Sequence, residues 1–346
     1  VVLDKRDVAT GSTAASTSLL QHAADTDLVD LLEKVGEAAA VRSYKIGLES
    51  VAKLERLVGE LGNACGFERK RSLYLASAKS HVAKLRQEYE LRRRHGFEVE
   101  FLEQAELKAT FSFTVPAAIL ANGDAQIDAF RFSHRLLEHA AKRGLRVFDR
   151  TDVKEVTPRR NGMALTTDQG NTVSARRVVF ATGYESQRYL KQKIGDLHST
   201  FALITEPLEE FPLWPDRCLI WETARPYCYL RATDDDRILI GGKDTPFATA
   251  HRQDGLVKKK TSQLLRRLQR MFPKTAFEIA YSWAGTFGTT PDGLAYIGVS
   301  SEWPNAYFAL GYGGNGITMS VTAAELIVDH YLGRDNPDAK IFSFDR

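Results

Sequence analysis

One glycine motif near the carboxyl end of this 346-residue chain restricts its fold more than any other feature. It reads Gly-Tyr-Gly-Gly-Asn-Gly from Gly311 to Gly316, after the apolar run 306–310 and before a helical pattern at 317–327. A strand, a glycine turn and a helix in this order direct free backbone N–H groups towards an anionic group. A dinucleotide-binding unit also needs an acid about 20 residues later, and the acids at that distance lie in a loop-like stretch. The motif is therefore not expected to open a Rossmann fold, but it can still hold a cofactor.

The start of the chain carries the second informative pattern. Residues 1–4 are typical of a buried parallel strand that ends in Asp4, and polar residues follow from Lys5. In dinucleotide-binding folds an acid at this place accepts hydrogen bonds from the adenosine ribose. The glycine turn of such a unit lies about 20–30 residues before the acid, so we expect it to precede residue 1. The alternative is an ordinary surface strand with a solvated acid.

Composition and charge are those of an ordinary globular protein of about two domains. The chain is 43% hydrophobic and 26% charged, and its net charge of +3 gives no reason to expect nucleic acid as a partner. No apolar run approaches the roughly 18 residues that a membrane span requires. The three cysteines, Cys65, Cys218 and Cys228, have the spacing of neither a disulfide framework nor a zinc site. These features predict a protein of a reducing compartment, the cytoplasm.

The order of segments predicts two domains that are each discontinuous in sequence. Segments typical of βαβ units lie at 1–60, 128–183 and 280–330, and they alternate with two blocks rich in strand patterns. Apolar residues at helical spacing predict two helices within 25–62. A charged helix is predicted at about 79–95, an amphipathic helix at about 128–143 and a helix that carries a basic run at about 255–271. Residues 107–123 are apolar without a clear period.

Three further segments fit a cofactor site when they are taken together. Residues 11–18 combine glycine with small and hydroxyl side chains, which permit close backbone approach and can donate to phosphate oxygens. The apolar strand 178–181 ends in Thr182 and Gly183, at the sheet edge where ligands bind in doubly wound folds. The Thr-Pro-Asp-Gly sequence at 290–293 precedes the glycine motif. Each segment is a weak signal by itself.

In their order along the chain, Asp4, these segments and the glycine motif resemble the D-amino-acid oxidase superfamily of FAD-dependent oxidoreductases. The resemblance covers essentially the whole chain. It implies an α/β fold with an N-terminally truncated, Rossmann-like FAD-binding domain and an α+β substrate domain built on an antiparallel or mixed sheet. The FAD-binding domain would comprise residues 1–65, 125–190 and 280–346, and the substrate domain 66–124 and 191–279. The FAD would be non-covalent.

The resemblance also assigns residues to the cofactor. Asp4 and Lys5 would meet the adenosine ribose and its edge, the backbone of Val153 would meet the adenine, and Thr182 and Gly183 would pass close to the cofactor. Reduction of a flavin leaves negative charge near N1 and O2, which the amino end of a helix stabilises. Along the pyrophosphate and flavin would lie Ser12, Thr13, Thr17, Ser18 and Leu19, and beneath the flavin's pyrimidine edge Tyr312, Gly313, Gly314, Asn315, Gly316, Ile317 and Thr318.

Two departures from the family concern the substrate. Amino-acid-oxidising relatives have an Arg before the Pro-Asp-Gly-like segment, where this chain has residues 286–288 (Thr-Phe-Gly), and some have another Arg in place of Gly314. No residue at either place can form a bidentate pair with a carboxylate. The other candidate cations are Arg225, Arg231 and Lys243.

Three residues are candidates for the catalytic site. Lys243 follows a strand that relatives place near the flavin, where it could bind a carboxylate or assist reaction with oxygen; the alternative is a plain surface lysine. Tyr227 and Tyr229 alternate along a strand and could cover the substrate; the alternative is a core or interface position.

The resemblance predicts an enzyme that oxidises the C–N bond of an amine or amino acid by hydride transfer to FAD, with oxygen or another electron acceptor. One alternative substrate is a 2-hydroxy acid, whose oxidation calls for a general base, typically His. His198, His251 and His330 are expected in turns or at the surface, which favours amines. An alternative of another class is a non-catalytic protein that has lost FAD. The sequence gives no prediction of the oligomeric state.

Overall fold

The computed structural model describes residues 1–346, which form seventeen strands and seven α-helices, numbered here in chain order. The helices are α1 (Leu28–Val35), α2 (Glu37–Glu60), α3 (Val82–Arg94), α4 (Gln104–Thr110), α5 (Ala129–Ala141), α6 (Ala250–Met271) and α7 (Gly316–Tyr331). The strands are β1 (Val2–Leu3), β2 (Leu19–Leu20), β3 (Glu68–Leu75), β4 (Val99–Glu103), β5 (Ala117–Gln126), β6 (Val147–Phe148), β7 (Val153–Arg159), β8 (Gly162–Thr167), β9 (Thr172–Ala175), β10 (Val178–Phe180), β11 (Asp196–Thr205), β12 (Leu219–Glu222), β13 (Cys228–Ala232), β14 (Ile238–Pro246), β15 (Ile279–Thr289), β16 (Tyr296–Val299) and β17 (Ala306–Leu310).

A nine-stranded mixed sheet is the largest element of the fold. Eight strands follow one another in the order β15-β11-β14-β13-β12-β3-β5-β2, and β4 pairs with β5. The neighbours are antiparallel except β12 and β3, which are parallel. One face of this sheet packs on α6, where Leu264 and Leu268 are fully buried against Ile238 and Ile240 of β14. Burial of each such side chain contributes roughly 1.5–3 kcal/mol to folding.

Strand alternation places different side chains on the two faces of this sheet. On β13, Cys228 and Leu230 are buried on the α6 side. The residues between them in sequence, among them Tyr229, therefore project to the opposite face. That opposite face borders the cavity described below.

Two smaller sheets carry the segments predicted to bind a nucleotide. In one, β1 and β6 are parallel, with Val2 beside Val147; in the other, the order is β10-β17-β16, with β10 and β17 parallel. A third sheet is formed by β7, β8 and β9. Helix α7 follows β17 through the glycine turn and packs on α2, where the hydroxyls of Ser50 and Thr322 form a buried hydrogen bond of 2.9 Å.

The mixed α/β architecture and the predicted helices are confirmed, with boundaries shifted by a few residues. The stretch 107–123 is resolved into the end of α4 and most of β5. Most residues of β5 are buried, so its sequence does not alternate. Helix α4 has only seven residues and is stabilised by a capping box between Glu103 and Glu106.

The proposed division into two domains needs one qualification from the strand order. Both β2 and β15 belong to the nine-stranded sheet, although they lie within the ranges 1–65 and 280–346 assigned to the FAD-binding domain, apart from the first residue of β15. None of the helices is long and apolar enough to cross a membrane.

Candidate active site

A cavity of about 770 Å³ lies between the segment 12–19, the glycine turn and the nine-stranded sheet. Its size is in the range of small-molecule and cofactor sites. The sheet contributes large aromatic side chains, including Trp283 of β15, Phe287 of β15 and Tyr229 of β13. Helix α5 closes another side with Phe132 and Leu136. The cavity thus joins the segments that the sequence assigned to the flavin.

The segment 12–19 is fixed by side chains that reach it from the large sheet. The indole N–H of Trp283 donates to the carbonyl of Ala15 at 3.0 Å, and Nε of Arg231 donates to the carbonyl of Thr17 at 2.6 Å. Arg231, one of the three candidate substrate cations, is thereby held against the loop. All five residues predicted from this segment line the cavity: Ser12, Thr13, Thr17, Ser18 and Leu19.

The glycine turn presents unpaired backbone donors to the cavity. Helix α7 begins at Gly316, and the N–H groups of Gly316, Ile317 and Thr318 have no acceptor in the protein. The amino end of a helix carries a partial positive charge, so these groups can stabilise an anion. Thr318 itself is 1% exposed and does not line the cavity. The other predicted residues do line it: Tyr312, Gly313, Gly314, Asn315, Gly316 and Ile317.

A carboxylate that sequence reasoning missed occupies the start of this turn. The N–H of Gly314 donates to Oδ2 of Asp25 at 2.6 Å, and Nδ2 of Asn315 lies 3.4 Å from Oδ1. Burial raises the pKa of Asp25, while the hydrogen bond from Gly314 and the charge of Arg225 oppose the rise. Asp25 is therefore held against the glycine turn by the backbone and side chain of the turn itself.

The residues predicted for the adenosine end form a second cluster that does not line the cavity. The N–H of Thr151 donates to the carbonyl of Asp4 at 2.8 Å, which places Asp4 beside the start of β7 at Val153. The ammonium group of Lys5 pairs with Glu185 at 2.6 Å, in the turn that follows Thr182 and Gly183. The structure brings these segments together, and their contact with a nucleotide stays a prediction.

A polar pocket of about 310 Å³ adjoins the cavity. The two share Asp25, Tyr227, Asp244, Phe287 and Gly313 as lining residues. This pocket also contains His198 and Arg225. It therefore brings together two carboxylates, a guanidinium and an imidazole beside the glycine turn.

Among the candidate substrate cations, Arg225 is the one that reaches this pocket. Its guanidinium lies 5.1 Å from the centroid of the Tyr227 ring, and its Nη1 donates to the carbonyls of Glu222 and Ala224, both at 3.2 Å. Burial opposes the charge of Arg225, but Tyr74 and Asp27 favour it, and the net result is a raised pKa. Arg225 thus stays charged at the pocket wall.

Lys243 lines neither the cavity nor the pocket, whereas the next residue, Asp244, lines both. The reason is a bulge in β14: the pairing with β11 shifts there, and Lys243 has a left-handed backbone with φ of 59°. The N–H of Lys243 still bonds to the carbonyl of Tyr227. The bulge interrupts the side-chain alternation and directs Asp244 to the site. A role of Lys243 in reaction with oxygen stays a prediction.

The two tyrosines lie together at the wall of the cavity. The rings of Tyr227 and Tyr229 are 5.8 Å apart, and both residues line the cavity, while Cys228 is buried on the other face. Burial raises the pKa of Tyr229 to about 12, so its hydroxyl is neutral at physiological pH. This places both predicted aromatics where they can contact a ligand.

The expectation that His198 lies in a turn or at the surface is wrong. It is half-buried on β11, its Nε2 lies 2.9 Å from the hydroxyl of Thr289, and its ring packs on Phe287. The sequence showed the alternating pattern of β11. It could not show the pocket around His198, because the partner strand β15 is about 90 residues away in sequence. His251 and His330 are exposed, as expected.

Comparison with known proteins decides the family. Residues 1–330 match the family model described as "FAD dependent oxidoreductase" (DAO). The chain belongs to the DAO family. The resemblance inferred from the sequence is thereby confirmed, and with it an FAD-dependent enzyme.

Individual DAO family members are distant in sequence but close in fold. A glycine oxidase of Geobacillus kaustophilus is 28% identical over 300 residues, which cover 82% of this chain and 76% of the relative. The crystal structure of glycine oxidase from the same organism superposes with a TM-score of 0.79 at 22% identity, covering 99% of this chain and 91% of that one. L-Proline dehydrogenase from P. horikoshii gives a TM-score of 0.75 at 20% identity, covering 98% and 88%. These structures show the fold that is shared.

The residues at the cavity fit the FAD that the family implies. The first three N–H groups of α7 have no acceptor in the protein, as at the start of any helix, and the buried amide nitrogen Nε2 of Gln21 has no partner either. An unpaired buried side-chain donor is rare in folded proteins, and a flavin ring edge would supply acceptors for Gln21 and for the helix N–H groups. Residues 12–19 and 312–317 would hold the flavin end, which when bound accepts a hydride from the substrate.

Asp25, Asp244 and Gln21 are site residues that sequence reasoning missed. Asp25 contacts a residue 289 positions later in the chain, a distance at which no periodic pattern carries information. Asp244 depends on a bulge that strand alternation does not foresee. The sequence did offer one signal for Asp25. It is the only acid in the segment 19–25, which directly follows the hydroxyl-rich loop.

Proposed function

We propose that this DAO family enzyme oxidises the C–N bond of an amine or amino acid by hydride transfer to FAD. The observation that carries the proposal is the charge arrangement of the polar pocket. Asp25 and Asp244 line the wall shared with the cavity, and Arg225 lines the pocket beyond it. Two carboxylates near a guanidinium complement a substrate whose ammonium group points to the cavity and whose anionic group points to Arg225.

The pocket offers a substitute for the missing family arginines. Residues 286–288 and Gly314 provide no cation, whereas Arg225 lines the same pocket as Phe287. We infer that Arg225 binds the substrate carboxylate, if the substrate has one. Tyr227, which lies between Arg225 and the cavity, would contact the bound substrate.

Oxidation of a 2-hydroxy acid is the second candidate, because His198 lies in the same pocket and could serve as its general base. The acids argue against it. Arg225 could bind the carboxylate of a 2-hydroxy acid as well, but such a substrate has no ammonium group to complement Asp25 and Asp244.

The test is anaerobic reduction of the FAD-loaded full-length protein by a panel of amines, amino acids and 2-hydroxy acids. We expect bleaching of the flavin absorbance by members of the first two groups. Bleaching by 2-hydroxy acids alone would assign the site to the second candidate, and a colourless protein that FAD cannot reconstitute would leave neither.

A further inference from the structure

Oxidation of an amine by hydride transfer requires a free electron pair on nitrogen. At neutral pH an aliphatic amine is an ammonium ion, so a proton must leave before the hydride does. A positioned side chain that accepts this proton contributes to the rate at physiological pH. The sequence offered no group for this step. The polar pocket contains three candidates: Asp25, Asp244 and His198.

The hydrogen bonds of Asp25 leave neither of its carboxylate oxygens without a donor. The N–H of Gly314 lies 2.6 Å from Oδ2, and Nδ2 of Asn315 lies 3.4 Å from Oδ1. These donors hold the carboxylate in one orientation against the glycine turn and oppose the rise in its pKa that burial causes. Asp25 is therefore less available than Asp244 to take a proton from the substrate.

Asp244 is the carboxylate with a free oxygen. Its Oδ1 is buried and has no hydrogen-bond partner in the protein. An unpaired buried acceptor costs free energy unless a ligand fills it, and a substrate ammonium group is a donor that can. Because Asp244 lines both the cavity and the pocket, it can reach a substrate that sits between them.

His198 is less suited to the step. Its Nε2 is engaged with the hydroxyl of Thr289, and His198 lines the pocket but not the cavity that would hold the flavin. Its position suits a contact with the distal part of a substrate.

Charged and titratable groups surround Asp244 on several elements. Burial raises the pKa of Asp244, and the Thr200 hydroxyl and nearby cations oppose the rise. A carboxyl group with a raised pKa is a better proton acceptor than an exposed one. The facing groups are His198 from β11, Lys260 from α6, Arg225 from the loop before β13, Tyr227 and Tyr229, and Asp25 at the glycine turn.

We propose that Asp244 accepts the proton of the substrate ammonium group. The N–H bond breaks, its electron pair stays on nitrogen, and the proton forms an O–H bond with Oδ1 of Asp244. The neutral amine is then competent to lose a hydride from the adjacent carbon to FAD. This assignment rests on the proposed function and makes Asp244 a catalytic residue.

The experiment measures the rate of anaerobic flavin reduction against pH in the FAD-loaded full-length protein, with an amine substrate found in the panel above. For the unaltered protein we expect the rate to rise with pH, with an apparent pKa well below the solution pKa of the amine. In Asp244→Asn we expect the rate at pH 7 to fall at least about 100-fold and to recover only as the amine itself deprotonates. The matched control is Asp254→Asn, since Asp254 is exposed on α6.

A weakly basic fluorinated analogue of the same amine, neutral at pH 7, separates proton transfer from damage to the fold. With this analogue, the flavin of Asp244→Asn should be reduced at a rate within a few-fold of that of the unaltered protein. An equal loss with both substrates, or an unchanged pH profile in Asp244→Asn, would overturn the assignment. The assignment would also be overturned if the ionisation in the pH profile of the unaltered protein were lost in His198→Gln and kept in Asp244→Asn. Failure of every amine to reduce the unaltered protein would count against the proposed function itself.

Discussion

At the scale of single residues, the site is defined by charges whose partners are far apart in sequence. Arg225, Asp25 and Asp244 come from three separate segments and meet at one pocket. The two carboxylates are half-buried and Arg225 is exposed at the pocket wall, so attraction to Arg225 offsets part of the cost of burying Asp25 and Asp244. This arrangement leads to two predictions at the residue scale.

Replacement of Arg225 by Met should separate substrates with and without a carboxylate. Loss of a charge-assisted hydrogen bond of roughly 1.5–3 kcal/mol should lower kcat/KM for an amino acid by about 10–150-fold. The amine that lacks the carboxylate should change by less than about 3-fold. Arg225→Lys is the matched control and should give an intermediate loss, because it keeps the charge without the bidentate geometry. Equal losses for both substrates would remove Arg225 from carboxylate binding.

Replacement of Asp244 by Asn should increase stability at neutral pH. Because burial raises the pKa of Asp244 in the folded state, its favourable contribution is complete below its ordinary value of 3.8 and is lost as pH rises through the raised pKa. An uncharged Asn avoids this loss, so the variant should be more stable than the unaltered protein at pH 7 and no more stable near pH 3. Denaturant unfolding at both pH values measures the difference. A gain that is equal at both would show that charge is not the cause.

At the scale of elements, the glycine turn and α7 depend on one close contact. Gly313 has φ of 56°, and a Cβ there would collide with Oδ2 of Asp25. Gly313→Ala should therefore displace Asp25 and the start of α7, and weaken FAD binding by at least about 10-fold. Fluorescence titration of the FAD-free protein measures this.

The matched control for the turn is Gly333→Ala, just after the end of α7. Gly333 has a similar φ of 69°, but a Cβ there has nothing within 4 Å. Its substitution should cost about 1–2 kcal/mol of backbone strain and leave FAD affinity unchanged. Equal effects of the two substitutions on FAD affinity would show that strain, and not the contact with Asp25, explains the result.

The elements differ in how far the sequence predicted them. The glycine motif and α7 were predictable because a turn and its helix are local, and the amphipathic pattern marked α5 for the same reason. The bulge at Lys243 was not, since it arises from pairing between β14 and β11. The cofactor segments followed from their order along the chain, whereas Asp25 and Asp244 needed the three-dimensional contacts.

At the scale of the whole molecule, one cavity lies between the nine-stranded sheet and the segments around α7. The nine-stranded sheet presents Tyr229 and Trp283, the loop before β13 presents Tyr227, and the start of α7 presents free backbone donors. The family fixes the cofactor chemistry, and the large sheet supplies the groups that would choose the substrate. Substrate selection should therefore follow residues of β13, β14 and their loops, while FAD affinity should follow the glycine turn.

The most direct test compares amino acids with the 2-hydroxy acids that carry the same side chains, such as alanine with lactate. Each pair differs mainly in an ammonium or a hydroxyl group on the reacting carbon, so size and carboxylate are held constant. In anaerobic titrations of the FAD-loaded full-length protein, we predict that the amino acid of at least one pair bleaches the flavin absorbance and that its hydroxy acid does not. Reduction by the hydroxy acids with no response to any amino acid or amine would contradict the account.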